Sequence, residues 1–196
     1  MRFTLALATL ALATCAFGQP VSADAPFQVR YATNLNIGDS VVNISNSGAA
    51  PGNICANLYT FDPAEELISC CACLITPNAL QSLSVLKSLI SNPLTPAIPT
   101  SVVIKIVSTT AATCNAGVLG TFANGLLAWG TTLHQNTSTI AVTYYGTETA
   151  FTPSTLSAAE YLHITGTCGF IQSNGSGFGI CKGCAAGGLG ATTTGQ

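Results

Sequence analysis

Cysteines supply most of the reactive side chains in this 196-residue chain. Cys70, Cys71 and Cys73 crowd into the segment CCAC, and Cys181 and Cys184 form a C-x-x-C pattern near the C-terminus. Thiols at these spacings occur in structural disulfides, in soft-metal sites and in thiol–disulfide exchange. The compartment in which the chain folds, and the elements that position the cysteines, decide among these three.

The N-terminus predicts export. Arg2 precedes an apolar stretch of Leu, Ala and Thr, and Ala16 and Gly18 place small residues at positions −3 and −1 of a cleavage site before Gln19. The apolar stretch is shorter than the ~20 residues of a membrane span, and Gly, Pro, Asn and Ser interrupt every later apolar run. The chain is therefore predicted to be secreted, to the periplasm, the cell surface or the medium, with no transmembrane segment. Lipidation of Cys15 stays open as an alternative, although the threonine before it fits poorly.

Length and composition predict one domain. Residues 1–18 are the predicted signal peptide, residues 19–185 a single β-sandwich-like domain, and residues 186–196 a disordered tail rich in Gly and Thr. Charged residues make up only 6% of the chain, and its formal net charge is −2. The sequence has no basic patch for nucleic acid. A surface of Thr, Ser, Asn and Gly does not repel its own copies, so self-association and contact with envelope glycans are the expected kinds of partnership.

Alternation of apolar and polar residues predicts a mainly β fold. Phe27 and Val29 alternate with polar residues, and the segments TSVVIKIVSTT, GLLAWGTTLHQ and TIAVTYYGTETAF are typical of strands. Ser157 and Glu160 form a capping box that begins a C-terminal helix. A second short helix is predicted around 78–91, with a strand at SLSVL as the alternative. The predicted fold is an antiparallel β-sandwich with one or two attached helices, braced by disulfides.

An even number of cysteines, eight, remains beyond the predicted signal peptide, and in an exported chain this predicts a disulfide framework. Segments 54–61 and 67–75 form a predicted β-hairpin around Asp62 and Pro63, because Pro pre-sets φ and the Asp carboxylate accepts hydrogen bonds from nearby backbone N–H groups. The disulfide candidates are Cys55, Cys70, Cys71, Cys73, Cys114, Cys168, Cys181 and Cys184.

The register of this hairpin predicts one bridge. If Phe61 pairs with Leu67, Cys55 lies opposite Cys73, at a spacing that a disulfide can span. A turn two residues tighter would place Cys55 opposite Cys71 instead. Successive strand residues point to opposite faces, so CCAC presents thiols to both faces of a sheet. We therefore predict a Cys55–Cys73 bridge. The hairpin thiols left over are expected to reach the C-terminal helix or a loop, with Cys70 or Cys71 bound to Cys168 or Cys114.

A metal or redox site is the alternative for the CCxC and CxxC segments. Structural zinc sites usually combine two C-x-x-C knuckles, and this chain has one, at 181–184. A thioredoxin-like site opens a helix after a strand in a βαβ unit, whereas this motif follows a glycine-rich turn. The sequence therefore assigns no metal ligand and no cofactor, and a thiol oxidoreductase or metal-binding protein remains the alternative.

No other residues form a recognisable catalytic set. His134 and His163 are the two histidines, and no G-x-S-x-G elbow accompanies them. Asp62, Glu65 and Glu66 are the only clustered carboxylates, and we interpret them as a solvated turn with Asp62 as its cap. We therefore predict no catalytic residue and no enzyme. Four aromatic residues on predicted strands either pack in the core or form a sugar-stacking strip: Trp129, Tyr144, Tyr145 and Phe151.

Several segments together resemble a known group of sequences. They are FQVRYATNLNIGDSVVNISNSGA, NICANLYTFDPAEELISCCACLITPN, PAIPTSVVIKI, AWGTTLH and CGFIQSNGSGFGICKGC. Over nearly the whole secreted chain they look like uncharacterised secreted bacterial proteins of soil and environmental genomes, which share a CCxC hairpin and a C-terminal CxxC. The resemblance implies bacterial origin and export, and it implies no activity.

These features favour an exported, disulfide-stabilised structural or adhesion protein of the bacterial envelope or extracellular matrix. A glycan-binding or small-ligand module is the first alternative, because the strand aromatics offer stacking surfaces. An enzyme or metal-binding protein that uses the CCxC and CxxC thiols is the second.

Overall fold

The computed structural model describes residues 24–138 and 141–184. The predicted signal peptide, Cys15 and the predicted tail at 186–196 lie outside the described residues. The described residues form nine β-strands, a π-helical turn and one α-helix. Their bounds are β1 Phe27–Ala32, β2 Val41–Asn46, β3 Ile54–Phe61, β4 Leu67–Ile75, β5 Leu80–Ser84, the π-helical turn Val85–Leu89, β6 Val102–Thr110, β7 Leu126–Thr137, β8 Val142–Ala150, β9 Thr152–Pro153 and α1 Ala158–Ser173.

The strands form two antiparallel sheets, which confirms the predicted mainly β fold. Sheet A has the strand order β4-β3-β6-β1-β9, and sheet B has the order β5-β2-β7-β8. Side chains alternate along each strand, so every second residue faces the space between the sheets. Ile104 and Ile106 of sheet A pack there with Ile44 and Leu126 of sheet B, and all four are fully buried. Burying this apolar surface holds the two sheets together.

Helix α1 covers the outer face of sheet A, which makes a third layer. Ser157 caps this helix as predicted, since its hydroxyl accepts a hydrogen bond from the Glu160 N–H at 3.1 Å, whereas the Glu160 carboxylate pairs with Lys105 instead of completing the capping box. Ile164 and Cys168 of α1 pack with Tyr59 of β3 in a second apolar cluster. The Tyr59 hydroxyl donates to the Ala116 carbonyl at 2.8 Å, and burial raises the pKa of this phenol.

The helix predicted at 78–91 is wrong for most of its length, and the alternative strand at SLSVL is confirmed for residues 82–84, which belong to β5. The leucines in this segment fit both the period of a helix and the period of a strand. Strand β2, however, has one side without a partner in its sheet, and β5 pairs with that side from Val41↔Ser84 to Ser45↔Leu80. Only the π-helical turn after β5 is helical, and the Ser84 hydroxyl caps it by accepting from the Lys87 N–H at 2.7 Å. Long-range pairing therefore overrides the local helical spacing.

Strands β7 and β8 continue past the sandwich as a two-stranded ribbon. All nine residues of β8 are exposed, and β7 is exposed from Gln135 onward. The two strands pair without interruption from Trp129↔Ala150 to Thr137↔Val142. The far side of β8 is therefore an open sheet edge.

Arg30 fixes the base of this ribbon to sheet A. From the inner face of β1 its guanidinium donates to the Thr149 carbonyl at 2.7 Å, to the Thr149 hydroxyl, and to the Thr132 hydroxyl at 2.8 Å. A Cβ at Gly130 would lie 2.9 Å from the Arg30 Nε, so the glycine makes room for the guanidinium. Burial lowers the pKa of Arg30, and the negative charge of Glu148 opposes that shift.

Replacing Arg30 should loosen the contact between the sheets. We expect Arg30→Met to lower the free energy of unfolding by about 2 kcal/mol, because it removes the charge-assisted hydrogen bonds from the guanidinium to Thr149 and Thr132. Urea denaturation would measure the loss, and Arg30→Lys, which keeps the charge, should lose less. A Met variant as stable as the parent would show that the guanidinium does not stabilise this contact.

Candidate functional site

Four disulfides use all eight cysteines of the described chain. Their Cα–Cα separations lie between 5.0 and 6.0 Å, within the range that disulfides require. A mainly β protein with this framework is consistent with a stabilised protein of an extracellular or other oxidising compartment. The bridges are Cys55–Cys114, Cys70–Cys168, Cys71–Cys181 and Cys73–Cys184.

The predicted Cys55–Cys73 bridge is wrong because the hairpin contains a β-bulge. Phe61 does pair with Leu67, but the next pair is Thr60↔Ser69, so Ile68 is an extra residue on β4. One inserted residue shifts the register of the rest of the hairpin by one position. Cys55 consequently lies opposite Leu74 rather than Cys73, and its thiol faces α1 and the loop of Cys114.

The thiols of CCAC serve both faces of sheet A. Cys70 faces outward and binds Cys168 of α1, which is one of the predicted alternatives. Cys71 and Cys73 face the space between the sheets, where they bind the two cysteines of the C-x-x-C segment. One strand is thereby cross-linked to the helix on one side and to the C-terminal segment on the other.

Residues 179–184, the C-terminal clasp, lie along the free edge of β4. The Cys70 N–H donates to the Gly179 carbonyl at 2.9 Å, and the Cys181 N–H donates to the Cys70 carbonyl at 3.2 Å. The clasp also reaches sheet B, where the Gln81 side chain donates to the Gly183 carbonyl at 2.8 Å. The clasp therefore satisfies backbone groups of an edge strand and spans the gap between the sheets.

Two of the bridges bring four sulfur atoms into one buried cluster. The Cys71 and Cys184 Sγ atoms, which belong to different bridges, are 4.0 Å apart. Soft metals bind thiolates, and sulfurs held in disulfides are not thiolates, so the oxidised cluster lacks metal ligands. Each cysteine of the C-x-x-C pattern bonds to β4 and not to the other, unlike the internal disulfide of a thioredoxin-like site. This arrangement favours a structural role.

A charged cleft lies between the β3–β4 turn and α1. Its volume is about 440 Å³, and it brings together groups that the sequence had suggested only separately. Lys105 forms an ion pair with Glu160 at 2.5 Å and lies 4.6 Å from the centre of the Phe61 ring. Its lining consists of Phe61, Asp62, Glu65, Val103, Lys105, Glu160, His163 and Ile164.

The described lining residues of this cleft supply acid and base groups but no hydroxyl or thiol, because they include no Ser, Thr, Tyr or Cys. Asp62 serves the turn, as predicted, because its carboxylate accepts from the Ala64 N–H at 2.9 Å and from the Glu66 N–H at 3.0 Å. The Lys105–Glu160 pair neutralises two of the charges. Catalysis through a Ser, Thr or Cys nucleophile is therefore not supported by the described lining.

The four strand aromatics do not form one strip. Phe151 is buried in the core, and Trp129 is half-buried beside an apolar cavity of about 410 Å³. Tyr144 and Tyr145 are 56% and 55% exposed, and as neighbours on β8 they point to opposite faces. Tyr145 stacks on His134 at 5.2 Å, and the His134 Nε2 forms a hydrogen bond with the Thr147 hydroxyl at 2.9 Å. His134 is thus a hydrogen-bonded surface histidine in contact with water.

Trp129 and Tyr144 share the outer face of sheet B, which we call the bare face. Register places Trp129 opposite Asn43 and Ala150, so their side chains share this face with the alternate residues of each neighbouring strand. Leu80 is 60% exposed there. Residues of the bare face include Leu80, Ser82, Asn43, Leu127, Trp129, Tyr144 and Glu148.

No protein-family model, no curated protein and no solved structure matches the chain. Within residues 24–138 and 141–184, no helix is both long enough and apolar enough to cross a membrane. The function of the candidate site is therefore inferred from its geometry.

Removing bridges from the two faces of β4 should have separable effects. We expect Cys70→Ala/Cys168→Ala and Cys73→Ala/Cys184→Ala each to lower the free energy of unfolding by about 2–3 kcal/mol, because each removes one constraint on the unfolded chain, although Cys71–Cys181 still links the same two regions. Hydrogen exchange should rise in α1 for the first variant and at the Cys181 amide for the second. Identical exchange patterns in the two variants would contradict separate roles for the two faces.

Proposed function

We propose that the chain is an exported, non-enzymatic structural or adhesion protein of the bacterial envelope or extracellular matrix, and that its bare face contacts neutral glycans there. The observation that carries this proposal is the contrast between the two sheets. Helix α1 covers the outer face of sheet A, whereas the outer face of sheet B leaves Leu80 and Tyr144 exposed. Exposed apolar surface rimmed by polar groups is typical of interaction sites.

The composition of the bare face suits an uncharged polymer. Trp129 and Tyr144 offer aromatic surfaces, on which the C–H faces of sugars stack, and the Ser82 hydroxyl donates to the Asn43 side chain at 2.6 Å beside Trp129. Glu148 is the one charged residue of the bare face. A ligand recognised mainly by stacking and hydrogen bonds does not need a charge of its own.

The scaffold beneath this face suits long exposure outside the cell. Four disulfides restrict unfolding, and proteolysis outside the cell acts on transiently unfolded chains. Adhesion requires a persistent surface rather than a reactive group. The proposal of a non-enzymatic role is supported by the bridged cysteines, which are not free thiols, and by the pairing of Lys105 with Glu160 in the cleft.

Binding to insoluble neutral polysaccharides and to purified cell walls tests this proposal. Trp129→Ala and Tyr144→Ala should each weaken binding by about tenfold, since losing a stacked aromatic costs roughly 1–2 kcal/mol. Tyr31→Ala is the matched control, because Tyr31 is 59% exposed on β1 of the other sheet. Binding should also persist from about 0.05 to 0.5 M salt, where screening abolishes contacts between exposed charges.

Two results would count against the proposal. Equal binding by all three variants would place the contact outside the bare face. Absence of binding to every neutral polysaccharide and cell wall, by a protein whose thermal unfolding is unchanged, would remove the adhesion role itself.

A further inference from the structure

The edge strands of the two sheets differ in how far they are protected from pairing with another strand. The free edge of β4 is occupied by the C-terminal clasp and by the Leu94 N–H, which donates to the Ile68 carbonyl at 3.0 Å. The free edge of sheet A at β9 is two residues long and contains Pro153, and β5 is five residues long. Strand β8 is nine residues long and exposed throughout. It has no Pro, Lys or bulge, which are the usual protections of an edge.

Two hydrogen bonds fix which backbone groups of β8 face this edge. The Ser138 N–H donates to the Ala141 carbonyl at 3.1 Å, and the Phe151 N–H donates to the Ala128 carbonyl at 2.8 Å. Hydrogen-bonded and non-hydrogen-bonded pairs alternate along an antiparallel ladder. The odd-numbered residues of β8 therefore bond to β7. The even-numbered residues direct their N–H and C=O groups outward: Val142, Tyr144, Gly146, Glu148 and Ala150.

We propose that β8 pairs antiparallel with β8 of a second copy of the chain, with Gly146 on the two-fold axis. Gly146 is the middle residue of β8, so this register gives the longest overlap. It pairs Gly146 with its own copy, Tyr144 with Glu148, and Val142 with Ala150. Every one of these pairs joins two outward-facing residues, so each makes two hydrogen bonds across the interface. Moving the axis by one residue in either direction shortens the overlap.

The side chains of β8 are compatible with this register. Glu148 is the only charged residue of the strand, and it lies opposite Tyr144 of the other copy, so like charges do not face each other. A Cβ built at Gly146 meets nothing within 4 Å, so the centre of the interface is open to the partner strand. The formal net charge of −2 opposes association only weakly.

The dimer joins two four-stranded sheets into one continuous sheet and places the two bare faces side by side. This inference does not depend on glycan binding, because it concerns the backbone of β8. It identifies a second copy of the chain as the partner of the open edge. Two bare faces on one particle would strengthen the proposed adhesion through multivalency.

Sedimentation of the secreted, disulfide-bonded protein up to about 1 mM tests the pairing. We expect a reversible monomer–dimer equilibrium. Gly146→Pro should abolish it, because proline removes the two central N–H donors but none that bonds to β7. Gly146→Ala is the matched control and should dimerise like the parent, since it keeps the N–H and has room for the methyl group.

A second pair of variants tests the register. Tyr144→Lys sets a positive charge opposite Glu148 of the other copy, and Tyr144→Glu sets a negative charge there. Each dimer contains this pair twice, so the Glu variant should dimerise about tenfold more weakly than the Lys variant. A protein that stays monomeric to 1 mM, a Gly146→Pro variant that still dimerises, or equal dimerisation by the two Tyr144 variants would each overturn the proposal.

Discussion

Strand β4 is cross-linked on both of its faces, and the three layers of the protein depend on it. Its outward thiol holds α1 against sheet A, and its inward thiols hold the C-terminal clasp between the sheets. A chain with 6% charged residues has few ion pairs with which to fix such contacts, and Lys105–Glu160 is the one that the described residues contain. Covalent bridges and apolar burial therefore supply the order that charge patterning supplies in other proteins.

Local pattern was enough to predict the hairpin, most of the longer strands and the start of α1, because alternation and capping act between residues a few positions apart. The cysteine pairing could not be predicted from local pattern. A single extra residue, Ile68, changes which residue lies opposite Cys55, and the sequence around CCAC does not reveal this bulge. Segment 78–91 was ambiguous for a related reason, since only the free side of β2 decides that Leu80–Ser84 extends as a strand.

The charged cleft and the bare face could not be predicted from the sequence, because both depend on how distant elements pack together. Asp62 and His163 are distant in sequence, and the Cys70–Cys168 bridge that docks α1 brings their elements to one cleft. Exposure of Trp129 and Tyr144 depends on which sheet the helix covers, and strand periodicity is the same for both sheets. The fold covers one sheet and closes the edge of β4, whereas it leaves the bare face and the edge of β8 accessible. Those two surfaces are where contacts with other molecules are expected.

Disulfide mapping of the unreduced protein tests the central claim most directly. Cleavage after Lys, Arg and Glu and before Asp separates Cys55, in 39–61, from the CCAC cysteines, in 67–87, and from Cys114, in 106–148. The bridges described here predict two linked species. One joins 39–61 to 106–148, and the other joins 67–87 to both 161–182 and 183–196. A species that joins 39–61 to 67–87, or free thiols before reduction, would contradict the bulged register and the framework built on β4.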